Sequence, residues 1–278
     1  MVPVQARLGN VHVGDNYPVA VMGVINLDPQ SFYPSSYSSS PKQAILAVSK
    51  MIEEGVDIVD IGGASTAPGV SHISVSEEIH RIQPVVTQIS KNWDTPISID
   101  TQHAPVAQVA LSKGASIVND VSGLKTDSSM AATIQDTGAS CIVMACEFQP
   151  GDRTTISDII STLQESLAIA QNKGIPNNQI VIDPGIGFGK PVSCDLEIIR
   201  NLKMFRVLNK PILLGISRKN VIGQILGYKS PKDRLYGSLG ASTVALLNGA
   251  HVLRTHDVRP SKDCIKIVAE LQSPHECE

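Results

Sequence analysis

The chain has 278 residues, 42% of them hydrophobic and 18% charged, with a formal net charge of −3 at pH 7. That composition is too apolar for a disordered chain, and no apolar run is long enough to cross a bilayer as a helix, so no membrane partner is expected. A slight acidic excess without a long basic run argues against a nucleic-acid partner. The length matches one closed (β/α)8 barrel, which predicts a single domain over residues 1–278. Aromatic residues make up only 4%, so Ile, Val, Leu and Ala must fill the core. The five cysteines (Cys141, Cys146, Cys194, Cys264 and Cys277) contain no C-x-x-C pair and follow an N-terminus without a secretory pattern. Reduced thiols and a cytoplasmic location follow.

In chain order, residues 1–18 carry Val4, Leu8, Val11 and Val13 with Gly9 and Gly14, a pattern that predicts a short hairpin closing the bottom of a barrel. A strand over 19–25 and a serine-rich stretch come next. A helix then opens with Ser40 as its N-cap, Pro41 in the first helical position and Gln43 three residues after the cap. Its apolar face is Ile45, Val48, Met51 and Ile52, and Gly55 stops it. The second unit repeats the pattern: a strand over 57–61, then Ser74 and Glu77 as a capping box before Ile79, Ile82, Val85, Val86 and Ile89. Further strands are expected at 97–99, 116–118, 141–144, 180–182, 211–214 and 251–253, each followed by helix-like sequence. Eight β-branched runs alternating with helical stretches place the chain in the α/β class, as a single (β/α)8 TIM barrel.

A barrel of this kind builds its active site from the loops after its strands, and polar residues recur there. They are Asn26, then Ser65 and Thr66 after Gly62 and Gly63, Asp100, Asn119, Cys146 with Glu147, Asp183, Ser217 with Arg218 and Lys219, and Arg254 with His256. One such residue alone is more often a helix cap than a ligand contact. Eight consecutive strand ends carrying them point to convergence on one pocket.

The segments VMGVINLDPQSF, DIVDIGGASTAPG, ISIDT, IVND, DPGIGFGK, GISRK and RTHD resemble, in order and spacing, those of the dihydropteroate synthase family of pterin-binding barrels, from Val21 to about Val258. The resemblance implies condensation of 6-hydroxymethyl-7,8-dihydropterin pyrophosphate with p-aminobenzoate or a related arylamine, with Mg²⁺ taking part. It implies Thr66, Asp100, Asn119, Asp183, Lys219, Arg254 and His256 as substrate-binding residues, with Asp100, Lys219, Arg254 and His256 catalytic and Asn26 on the metal. The chemistry of the side chains agrees. A buried carboxylate such as Asp183 can take two N–H groups of a pterin edge, while Asn119 can both donate and accept. Asp100 facing the opposite edge can stabilise cationic character as the exocyclic C–O bond breaks, and Lys219 offers a point charge to the ring carbonyl. Arg254 and His256 stand two apart on one strand face and suit a departing pyrophosphate. Asn26, on the neighbouring first strand, offers an oxygen to Mg²⁺.

This chain departs from the family pattern in its loops. Gln30 stands where an aspartate is usual, with Asp28 two positions earlier, and Ala64 and Ala67 replace a glutamate and an arginine. MACEFQPG replaces a Met-His-Met-Gln run and brings Glu147 to the rim. A lost arginine suits an aniline carrying a sugar-like substituent in place of a carboxylate. The serine-rich loop before Pro41 reads as a lid in which Phe32 and Pro34 close over the second substrate. Gly185, Gly187 and Gly189 fit close backbone packing beneath the pterin, since their spacing matches no nucleotide-binding loop. Two other readings remain: a methyl-tetrahydropterin corrinoid methyltransferase, and a noncatalytic pterin-binding paralogue. Helical sequence over 232–248, rich in Ala, Leu and Val, is the expected face of a homodimer.

Overall fold

Alternation of β-branched residues sets the inside and the outside of the sheet, and the computed structural model shows how; it describes residues 3–28, 38, 40–64, 73–146 and 155–273. A hairpin of β1 (Gln5–Leu8) and β2 (Val11–Gly14) precedes eight parallel strands: β3 (Ala20–Asn26), β4 (Ile58–Gly62), β5 (Ile97–Asp100), β6 (Ile117–Asp120), β7 (Ser140–Met144), β8 (Ile180–Asp183), β9 (Leu213–Leu214) and β10 (Val252–Thr255). Their order round the sheet is β8-β7-β6-β5-β4-β3-β10-β9. A parallel bridge between Ile182 and Ile212 joins the two ends into a barrel.

Between the strands run α1 (Pro41–Glu53), α2 (Val75–Asn92), α3 (Ala104–Ser112), α4 (Met130–Thr137), α5 (Ile156–Asn172), α6 (Val192–Arg200), α7 (Asn220–Leu226) and α8 (Leu235–Leu247), and α9 (Val258–Gln272) follows β10. The caps expected at Ser40 and Ser74 are formed: each hydroxyl accepts the backbone N–H three residues on, from Gln43 at 3.3 Å and Glu77 at 3.2 Å. Thr155 and Asp158 form a complete capping box at the start of α5.

Two buried clusters follow from the two-residue period of the strands. Outward-facing Val59, Ile61, Ile97, Ile99, Val118, Val143 and Ile182 pack with the helices. Inward-facing Met22, Ile58, Ile117, Ile142, Val181, Leu213 and Val252 pack with Ala6, Leu8 and Val13 of the hairpin. The hairpin therefore plugs the N-terminal end of the barrel with apolar side chains, and chemistry is left to the other end. Among the described residues no helix is long and apolar enough to cross a membrane, and Cys141, Cys146, Cys194 and Cys264 are not joined in disulfides.

Candidate active site

One pleat above the apolar floor, the inward positions become polar. Asp60, Ser98, Asp100, Asn119 and Asp183 are all buried and share the barrel interior with Arg254. Strand register orders them by depth: Asp60 pairs with Ser98, and Gly62 with Asp100, which in turn pairs with Asn119.

Arg254 lies between two carboxylates. Its Nε donates to Asp60 Oδ2 at 2.7 Å, and its Nη2 reaches Asp60 Oδ2 at 2.7 Å and Asp100 Oδ2 at 2.8 Å. Besides the role expected for it with His256 at an anion, Arg254 reaches across the barrel interior, because two buried acids need a countercharge. Its Nη1 has no partner among the described residues and faces no such demand. Asp100 keeps Oδ1 buried without a hydrogen bond, and burial pushes its carboxyl up to about 7, against the pull of Arg254 and with help from Asp60.

Asp183 accepts the backbone N–H of Gly185 at 2.7 Å, and burial raises its pKa while Lys219 opposes the rise. The loop beyond is built on left-handed glycines. A Cβ on Gly185 would stand 2.6 Å from the Ala145 carbonyl oxygen, and one on Gly187 would stand 2.9 Å from Lys219 Cδ, so close backbone packing is what these glycines permit. Lys219 donates to the Ile186 carbonyl and sits 4.5 Å from the centre of the Phe188 ring. Desolvation pulls its ammonium down to about 8, with Asp183 opposing. Lys190 is buried in the same loop and donates to the Gly185 carbonyl at 3.0 Å.

His256 lies beyond Arg254 on the same strand face, and its Nδ1 is 3.0 Å from the Ser217 hydroxyl, which leaves Nε2 as the second nitrogen of the ring. Burial, with Arg254, Arg218 and Lys219 nearby, holds its pKa down at about 3. The imidazole is therefore neutral at pH 7, and it meets an anion as a neutral hydrogen-bonding ring. Arg218 turns away from the pocket altogether. It grips Asp257 through Nε and Nη2 at 2.7 Å each and the carbonyls of Pro231 and Lys232 through Nη1, so it is a structural clamp.

Asn26 closes β3, and its Oδ1 lies 3.6 Å from where a Cβ on Gly62 would be, a point 3.8 Å from Asp100 Cβ. It therefore borders the same pocket. Asp28 is buried 3.5 Å from Arg81 of α2, whose Nη1 also donates to the Gly63 carbonyl. Ser65, Thr66, Ala67, Gln30, Phe32, Pro34 and Glu147 lie outside the described residues, and the expected lid falls there with them.

Buried acids that escaped the sequence reading include Asp60 and Glu78. Asp60 lies in the strand IVDIG two residues before Gly62, and its place on the inward face was the signal available. Glu78, only 1% exposed, is bonded to His103 Nδ1 at 2.8 Å and had been hidden by the helical pattern around it.

The pterin-binding enzyme family model matches residues 22–256. The chain is 36% identical to dihydropteroate synthase of Clostridium beijerinckii over 248 residues, covering 89% of this chain and 92% of that one, and 34% identical to the Escherichia coli K12 enzyme over 263 residues, with 92% and 93% covered. The fold is similar to dihydropteroate synthase of Coxiella burnetii in complex with pteroic acid, with a TM-score of 0.88, 34% identity, and 97% of this chain and 99% of that one covered. It is also similar to the Xanthomonas albilineans enzyme with 4-aminobenzoic acid, with a TM-score of 0.90, 29% identity, and 99% and 100% covered. The polar layer above an apolar barrel floor, the glycine loop beneath it and these likenesses together establish that the chain belongs to the dihydropteroate synthases of the pterin-binding enzyme family.

Proposed function

We propose that this protein condenses 6-hydroxymethyl-7,8-dihydropterin pyrophosphate with p-aminobenzoate or a related arylamine, releasing pyrophosphate and forming 7,8-dihydropteroate. The observation that carries this reading is the buried layer of Asp100, Asn119 and Asp183, with half-buried Lys219 and Arg254, converging inside one barrel mouth. Bound pteroic acid and 4-aminobenzoic acid in solved relatives support it.

In this reading Asp183 and Asn119 take the donor-rich ring edge, and Lys219, already beside Asp183 in charge, turns from the Ile186 carbonyl to the ring carbonyl. Asp100 presents its unpartnered Oδ1 to the opposite edge. As the exocyclic C–O bond lengthens, positive charge grows on the pterin and negative charge on the leaving pyrophosphate. Asp100 stabilises the first; Arg254 Nη1 and His256 Nε2 stabilise the second. The arylamine nitrogen is neutral at pH 7, so it needs an electrophile more than it needs a base. Thr66 belongs to the substrate-binding set in this reading.

Asn26 fits Mg²⁺, since that ion binds through few protein oxygens and completes its shell with phosphate and water, and no cluster of three acidic, histidine or cysteine ligands occurs among the described residues. When bound, it supplies charge neutralisation on the leaving pyrophosphate. The reading further includes one pterin-binding domain over 1–278, a homodimer and a cytoplasmic location.

The test is release of pyrophosphate from the pterin pyrophosphate with a panel of arylamines, p-aminobenzoate among them. Release that depends on one of these arylamines is expected. No release with any of them, while the pterin still binds, would leave the chain a binding protein and overturn the reading.

A further inference from the structure

The proposed reaction gives Asp60 no task, yet this side chain is fully buried and ties two substrate-facing residues together. We propose that Asp60 is a positioning residue: it holds the Arg254 guanidinium at the barrel mouth while Asp100 releases that same guanidinium to engage the pterin. The inference rests on the synthase reading of the site.

Arg254 meets both acids, but they differ in depth. Asp60 sits beside Ser98 in the register of β4 and β5, whereas Asp100 sits beside Gly62, two residues nearer the mouth, a rise of about 7 Å. Asp60 is therefore the deeper of the two acids, and Asp100 the one nearer the mouth. Its Oδ2 accepts from Arg254 Nε at 2.7 Å and from Asn119 Nδ2 at 3.3 Å, so one oxygen fixes the orientation of both. Both acids keep Oδ1 buried and unpartnered, but Asp100 engages Arg254 through Nη2 alone whereas Asp60 takes both Nε and Nη2, so Asp100 is the acid that can exchange its partner at the smaller loss. If Asp100 were the only acid present, its departure to the pterin would strand a half-buried arginine without a countercharge. With Asp60 in place, Arg254 stays paired through Nε and Nη2, and Nη1 is not needed to hold it.

A double-mutant cycle tests this with 6-hydroxymethylpterin, which carries no leaving group, titrated calorimetrically into the wild type, Asp60→Asn, Arg254→Lys and the double variant. Asp60→Asn leaves Asp100 as the acid that Arg254 must keep, so pterin affinity is expected to fall by about tenfold. In the Arg254→Lys background the same change is expected to cost less than about threefold, because Asp60 acts through the arginine. Equal losses in both backgrounds would overturn the proposal, since a merely structural acid would weaken both proteins alike. Should Asp60→Asn fail to fold, a crystal structure of the wild type with the same pterin decides. The Arg254–Asp60 pair kept and the Arg254–Asp100 pair broken is expected; the reverse, or both pairs kept, overturns it. Neither experiment needs turnover, so a chain that bound pterin without releasing pyrophosphate would fail the synthase reading and still answer this one.

Discussion

At the scale of single residues, the same carboxylate can cap a loop and still be placed for a ligand. Asp183 gives Oδ1 to the Gly185 N–H, as a loop cap does, and still lies buried on the pocket side of β8 beside the field of Lys219. Asp183→Asn keeps the shape and the acceptor for Gly185 but removes the charge that binds a donor-rich ring edge. Pterin affinity should fall by about 1.5–3 kcal/mol, the worth of hydrogen bonds to a charged group. Calorimetry with a nonreactive pterin measures it, and an unchanged affinity would reduce Asp183 to a loop cap. In the proposed reaction His256 serves the other half of the substrate. His256→Ala should weaken binding of a pterin that carries phosphates and leave a phosphate-free pterin bound as before. Comparable losses with both ligands would take His256 out of the pyrophosphate site.

At the scale of elements, all eight barrel strands were legible, but their ends were not. Strands β3, β4, β5 and β8 run one residue past the expected end, and β6 and β10 run two. The extra residues are Asn26, Gly62, Asp100, Asp183, Asn119 with Asp120, and Arg254 with Thr255. Hydrophobic pattern stops where the side chains turn polar, whereas the backbone ladder continues, so the chemistry here is borne on strand ends more than on loops. Strand β9 is shorter than expected because Pro211 has no N–H to give and Ile212 reaches β8 through a single bridge. Arg218 looked like its neighbours Ser217 and Lys219 in sequence. Its left-handed backbone, φ 55°, helps turn it toward Asp257, and no spacing rule reports that.

The hairpin docking is expected to depend on pH. His251 accepts the Ile212 N–H on Nδ1 and meets Asp15 through Nε2 at 3.1 Å, while Arg206 grips Asp15 at 2.6 and 2.8 Å. A proton on Nδ1 would face a donor, and burial moves the His251 pKa below its ordinary 6.5 despite Asp15. The unfolded chain thus takes up a proton that the folded chain refuses. This group's contribution is complete above about pH 6.5 and declines as the pH falls below it. Asp15, held well below the usual carboxylate range chiefly by Arg206, adds a loss only in more acidic solution. The urea midpoint should fall between about pH 7.5 and about pH 5.5, and by less in His251→Gln, whose amide can satisfy both neighbours without titrating. Equal falls in the two proteins would place the titration elsewhere.

At the scale of the whole molecule, the barrel separates its two ends and leaves one flank unsatisfied. Tyr236, Val244 and Leu247 stand on one face of α8 at helical spacing and are 83%, 42% and 47% exposed, with Gly240 between them. Exposed Ile225 and Leu226 of α7 and Ile267 and Leu271 of α9 extend the apolar flank, and α8 packs on both helices. Such a surface is costly in water, and a two-fold axis beside α8 would cover it with its own copy. Tyr236 at the start of the stripe and Leu247 at its end would meet their counterparts in reverse order, as an isologous contact requires. Val244→Asp places a charge at the middle of that contact without entering the barrel core. Sedimentation at micromolar concentration should show the wild type as a dimer and Val244→Asp as a monomer whose pterin affinity is unchanged, since the pocket lies inside each barrel. A wild type that sediments as a monomer at the highest attainable concentration would remove the dimer from the proposed function.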